Sequence, residues 1–131
     1  MNGCTTVNSS FEELKKNKHV TKKEYIINQN YQQLYRNGIV ASEKCWDSSK
    51  KTIFGTDLNH KREIYTDIKE ARFTRGGPGA VVNVITLKFI DENTTKMDIY
   101  MYRAGEWAVY STDIEGVKKR FSGECNACKC K

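Results

Sequence analysis

Residues 30–46, NYQQLYRNGIVASEKCW, decide how the rest of the chain is read. Tyr31, Leu34, Tyr35, Gly38, Ala41, Ser42 and Cys45 recur at the spacing of one helix face, while Gln32, Arg36, Glu43 and Lys44 fall elsewhere. The stretch therefore predicts an amphipathic helix with one face in a core. Asn30, with Gln33 three residues on, is a variant capping box in which each side chain can satisfy a free backbone amide of the first turn. The helix ends on Cys45, which ties it to the covalent chemistry of the chain.

On the upstream side, Tyr25, Ile26 and Ile27 fit a short strand over 23–27 that feeds the helix. Before that, Ser9 or Ser10 with Glu12 or Glu13 caps a short helix through Phe11 and Leu14. Downstream the period changes to two. Segments 52–58, 63–73, 80–90, 96–102 and 107–110 read as strands, with 59–62 as a polar connector and a bulge between Ile68 and Ala71. Gly76-Gly77-Pro78-Gly79 is the clearest break between them. Thr112 with Glu115 opens a last helix whose narrow stripe is Ile114, Val117 and Phe121, with Gly123 as its C-cap. The fold class expected is α+β: an antiparallel meander sheet of about five or six strands with two main helices packed on one face. Residues 1–20 are expected as a flexible N-terminal tether carrying the short helix, and 21–131 as a single domain with a Cys-rich C-terminal tail.

Composition fits one folded domain. The chain has 131 residues, 38% of them hydrophobic, including seven Tyr, five Phe and two Trp, enough for a single core. It contains no apolar run of about 18 residues, as a spanning helix would need. The net charge of +6 comes from short clusters such as Lys15-Lys16, Lys22-Lys23, Lys61-Arg62 and Lys118-Lys119-Arg120. Two readings of these clusters stay open: solvated loops, or attraction to an anionic surface.

The sequence nominates no residues for catalysis. His19 and His60 stand near no nucleophile or metal-helix pattern, and both read as surface histidines. Gly76–Gly79 lacks the Lys-Ser or Lys-Thr of a phosphate loop. No catalytic residue, cofactor or resident metal is expected. The candidate binding surface is aromatic: Tyr100 and Tyr102 alternate with the apolar side of their strand, and Tyr65, Trp107 and Tyr110 fall on neighbouring ones.

Five cysteines complete the pattern. Gly3-Cys4, followed by the polar run Thr5 to Ser10, resembles the C-terminal end of a bacterial lipobox, with the signal segment taken as already removed. That resemblance implies export, acylation of Cys4 and a lipid anchor in the membrane, and Thr5 after the cysteine resembles the sorting pattern for the periplasmic side of the outer membrane. The implied role is a non-enzymatic binding or assembly module of the cell envelope, with an envelope protein or an anionic surface as partner and no nucleic acid. The other four, Cys45, Cys125, Cys128 and Cys130, are compatible with two disulfides in three connectivities. In an oxidising compartment one tail cysteine would reach Cys45, closing a loop of about 80 residues, and the second bond would lie within the tail. The competing reading makes them a Cys4 zinc site, or a Cu(I) pair, in an intracellular metal- or nucleic-acid-binding domain.

Overall fold

In the computed structural model, which describes residues 10–45, 59–77, 80–102, 114–128 and 130, three helices pack on one antiparallel sheet. Chain order is α1 (Phe11–Lys16), β1 (Val20–Ile27), α2 (Tyr31–Cys45), β2 (Asn59–Tyr65), β3 (Glu70–Gly77), β4 (Ala80–Asp91), β5 (Thr94–Tyr102) and α3 (Ile114–Ser122). Strands β2 to β5 form the expected meander, and β1 closes it by pairing with β5, giving the order β1-β5-β4-β3-β2. The expected strands at 52–58 and 107–110 lie outside the described residues.

Alternation sorts the sheet into two faces. Tyr25, Ile27, Ala71, Phe73, Ile85, Leu87, Met97, Ile99 and Met101 point to the side occupied by α2 and α3, where they meet Leu34, Ile114, Val117 and Phe121 in the main core. Both main helices therefore sit on one face. Their contact is close because Gly38 carries no side chain where Phe73 and Phe121 meet edge to face at 4.9 Å between ring centroids. A Cβ on Gly38 would stand under 3.0 Å from carbons of both rings.

The start of α2 differs in detail from the capping box. The Asn30 side chain accepts from the Gln32 amide at 2.9 Å, and its own amide donates to the Glu92 carbonyl at 2.9 Å, tying the helix start to the β4–β5 turn. Gln33 turns forward instead, donating to Asn37 Oδ1 at 3.0 Å. Asn37 in turn donates to the Phe121 carbonyl at 2.7 Å, so the polar edge of α2 caps the end of α3.

The reading of 59–73 needs correction. Residues 59–62 form the first half of β2, and the break falls at 66–69, where Lys69 takes φ 54°. Because 59–65 and 70–76 pair antiparallel with each other, the interruption is a turn between two strands and not a bulge within one. The two strands it joins pair in register from Tyr65↔Glu70 to Asn59↔Gly76.

On the opposite face of the sheet lies α1, which occupies part of the stretch read as a tether. Ser10 caps it, accepting from the Glu13 amide at 3.2 Å. A six-residue helix has little stability of its own, and α1 is held by Leu14, fully buried, and by Phe11 edge to face on Tyr100 at 5.0 Å. Burying Leu14 contributes about 2 kcal/mol. Val82, Val84, Tyr100 and Tyr102 complete this second, smaller core.

Candidate functional site

Two places on the fold combine a concave surface with chemically distinct side chains, one on each face of the sheet. The first is built by the C-terminus. Gly123, at φ 85°, ends α3 in a reversal in which its own amide donates to the Arg120 carbonyl at 3.3 Å and the Glu124 amide to the Lys119 carbonyl at 2.9 Å, the paired bonds of a Schellman cap. The reversal sends the tail back along α2. There Cys128 is bonded to Cys45 across a Cα separation of 5.4 Å, and Cys125 to Cys130 across 6.1 Å. One bond thus joins the tail to α2 and the other folds the tail on itself. All four sulfurs of the Cys4 zinc reading are taken up in these bonds, and among the described residues no group of three or more His, Cys, Asp and Glu is placed to hold a metal.

The tail is held by more than sulfur. Arg120, read from the sequence as part of a basic cluster, is buried in α3 and donates to the Cys128 carbonyl at 2.7 Å. Lys44 of α2 reaches the Asn126 carbonyl at 2.7 Å. Lys118 pairs with Glu124 at 3.0 Å, and that hydrogen bond holds the Glu124 carboxyl below its ordinary pKa. Between α2, α3 and the tail opens a groove of about 370 Å³. Its walls are mostly apolar, with Val40, Ala41, Cys45 and Cys125 among them, and Asn37, Lys44, Arg120 and Asn126 supply the polar part of the lining. Val40, 65% exposed, is the most exposed large hydrophobic residue among the described residues.

The second place is the sheet face beside α1. The aromatic residues expected to form one exposed surface are separated here. Tyr100 and Tyr102 are buried, at 8% and 0% exposure, because α1 lies over them; Tyr65, on β2, is 39% exposed and donates to Glu63 at 2.6 Å, a bond that raises its pKa. Trp107 and Tyr110 lie outside the described residues, as does Cys4. Tyr65 and Tyr100 nevertheless share a wall, for both line a cavity of about 110 Å³ together with Phe11, Lys15, Arg72 and Thr86. Alternation could have found part of this: Thr86 and Lys88 share the period-two face of Val84, opposite Ile85 and Leu87. The contribution of α1 could not be read that way.

A third polar feature crosses the main-core side of the sheet, where His60, Arg75 and Asn83 are consecutive register partners on β2, β3 and β4. His60 is half-buried in a strand, not a surface residue in a turn. Burial, with Arg62 and Arg75 nearby, lowers its pKa below the ordinary 6.5 against a smaller opposing effect of Glu43. Asn83, 1% exposed, leaves both side-chain amide atoms without a partner.

No protein-family model matches the chain, and no curated protein matches it. Among solved structures it is similar to the protein XoxI from Bacillus cereus, at a TM-score of 0.36 and 10% identity, over 79% of this chain and 90% of that one. A likeness that distant carries no argument about the fold or the role of this chain.

Proposed function

We propose that the chain is an exported domain, tethered through an acylated Cys4 on the periplasmic side of the outer membrane, which acts as a non-enzymatic binding or assembly module of the bacterial cell envelope. The observation that carries this reading is the closed cysteine set. Of five cysteines, four are consumed in two disulfides, which persist in an oxidising compartment and not in a cytosol. The one left over, Cys4, directly follows Gly3, and acylation gives it a use that leaves no spare thiol in an oxidising space.

The binding role takes the groove beside the Cys45–Cys128 bond as its recognition surface, because its walls are fixed covalently and its lining is mostly apolar with a few polar groups, the ordinary make-up of a ligand site. The test is intact mass and fractionation of the full precursor expressed in a bacterial host. A diacyl or triacyl addition at Cys4, membrane recovery and no titratable thiol on the purified chain are expected. An unacylated cytosolic product with all five thiols free, or with zinc released by chelator, overturns the proposal in favour of the intracellular metal-binding reading.

A further inference from the structure

The sheet face beside α1 gathers charged side chains around a cavity. Register sets Arg72 of β3 directly opposite Thr86 of β4, and Lys88 follows two residues along β4 on the same face, opposite Glu70. Lys15 approaches from α1, and all five line the 110 Å³ cavity. Three cations and the carboxylate of Glu70 line the cavity, with Glu63 opposite Arg72 in register on the neighbouring strand. Lys15 is paired with Glu12 at 2.9 Å on the exposed side of α1. Arg72 lies over the Phe11 ring, 4.7 Å from its centroid, and neither it nor Lys88 has a carboxylate within ion-pair distance among the described residues.

The uncharged wall supplies a second, independent sign. Thr86 is 6% exposed and its hydroxyl has no hydrogen-bond partner. Buried hydroxyls are ordinarily satisfied, and this orphan, closed off by the side chains around it, is open to an acceptor in the cavity once that wall shifts. Valine has almost the same shape and would fill the position at no such cost. Surface attraction alone would not call for a hydroxyl there.

We infer that this cavity is a binding site for a phosphate-type oxyanion. Arg72 from β3, Lys88 and Thr86 from β4 and Lys15 from α1 line it from three elements, and with Arg72 turned from the Phe11 ring and Lys15 from Glu12 they suit a group with several acceptor oxygens and more than one negative charge; a carboxylate would leave donors idle. Size agrees. On the measure that gives 110 Å³, one water needs about 10–15 Å³, so the cavity holds a phosphate group with room to spare, and any larger part of the ligand leaves past the exposed ring of Tyr65. The phosphate could belong to a free phosphate compound or to a lipid head group. The inference does not rest on export or on acylation of Cys4.

The experiment uses the full chain with its disulfides intact. Inorganic phosphate is titrated at constant ionic strength, following thermal stability and backbone amide shifts, with acetate in parallel. Saturable stabilisation by phosphate alone is expected, with shifts centred on Arg72, Thr86 and Lys88. Arg72→Gln should weaken it about tenfold or more, the loss of a charge-assisted bidentate contact, and the exposed Lys61→Gln, outside the cavity, should not. Thr86→Val separates a ligand role from a structural one: the unliganded protein should melt no lower than the parent while its response to phosphate falls. Phosphatidate vesicles then identify the source. Vesicle binding that Arg72→Gln abolishes and free phosphate displaces assigns the site to lipid head groups; vesicle binding insensitive to Arg72→Gln, beside a sensitive response to free phosphate, assigns it to soluble phosphates. No saturable response, an equal response to acetate, or one that Arg72→Gln leaves intact overturns the inference.

Discussion

Replacing the two disulfides one at a time, in a Cys4→Ser background that removes the spare thiol, should have very different effects. The Cys45–Cys128 bond spans 83 residues and the Cys125–Cys130 bond spans 5. In the chain-entropy model a cross-link stabilises by restricting the unfolded chain, with a logarithmic dependence on loop length. Those spans give about 4.5 kcal/mol for the long loop and about 2 kcal/mol for the short one at 25 °C. For a chain of this size about 1 kcal/mol moves Tm by about 4 °C. Cys45→Ser with Cys128→Ser should therefore lower Tm by nearly 20 °C, and Cys125→Ser with Cys130→Ser by about 8 °C. Chemical denaturation checks the mechanism separately, because releasing the long loop exposes more surface in the unfolded state and should raise the m-value. Equal losses for the two pairs, or a loss below about 1 kcal/mol for the long loop, would refute the reasoning: stabilisation would then lie in native contacts of the tail and not in loop closure.

Gly38→Ala should destabilise by about 2 kcal/mol, since overpacking costs up to about 3 and the better helix propensity of alanine returns about 1; a neutral or stabilised variant in urea unfolding would show that the Phe73 and Phe121 rings yield freely. The lowered pKa of His60 means that the unfolded chain binds the proton more readily than the folded one, so stability should fall as pH drops through about 6.5 toward the folded-state value, a slope that His60→Gln removes in Tm measured against pH. Lowered carboxyl pKa values at Glu12, Glu24 and Glu124 act in the same direction but in a separate window, below the ordinary 4.5. Arg120→Met keeps the buried stem and removes the donor to the Cys128 carbonyl, which should cost about 1–3 kcal/mol; thiol-trapping should find Cys45–Cys128 reduced faster at a given reductant concentration.

The α2 face was legible because a long helix repeats its pattern: of its predicted stripe, Tyr31, Leu34, Gly38 and Ser42 are buried, and the last position, Cys45, packs partly against the core. The division of cysteines between α2 and the tail was legible from count and spacing, though not which tail cysteine would reach the helix. That choice depends on Gly123, whose left-handed reversal sets where the tail crosses α2. The sheet was read less well where local pattern and pairing disagree. Residues 59–62 look like a connector because all four are polar, yet they pair because β3 offers them an edge. Tyr100 and Tyr102 alternate as an exposed face should, and period-two counting does not register that a six-residue helix from far upstream covers them. The same blindness hid the cavity, whose wall takes Lys15 from α1, Arg72 from β3 and Thr86 from β4, residues brought together by register and not by sequence spacing.

The two faces of the sheet differ in how they answer to redox conditions. The core against β3, β4 and β5 is carried by Phe73, Ile85, Leu87, Met97, Ile99 and Phe121, none of which is a disulfide cysteine. The groove is different, since two of its walls are disulfide cysteines and tail residues 124 and 126–128 are exposed apart from their anchors. Breaking Cys45–Cys128 leaves the tail on the Arg120 and Lys44 contacts to the Cys128 and Asn126 carbonyls, each worth about 1–3 kcal/mol at best against the freedom of several residues at roughly 1–2 kcal/mol apiece. The balance favours a released tail on an intact sheet. Reduction should thus dismantle the groove locally while the cavity beside α1, which contains no cysteine, keeps its shape, so hydrogen exchange in reductant should rise over 124–130 and stay low across β3, β4 and β5.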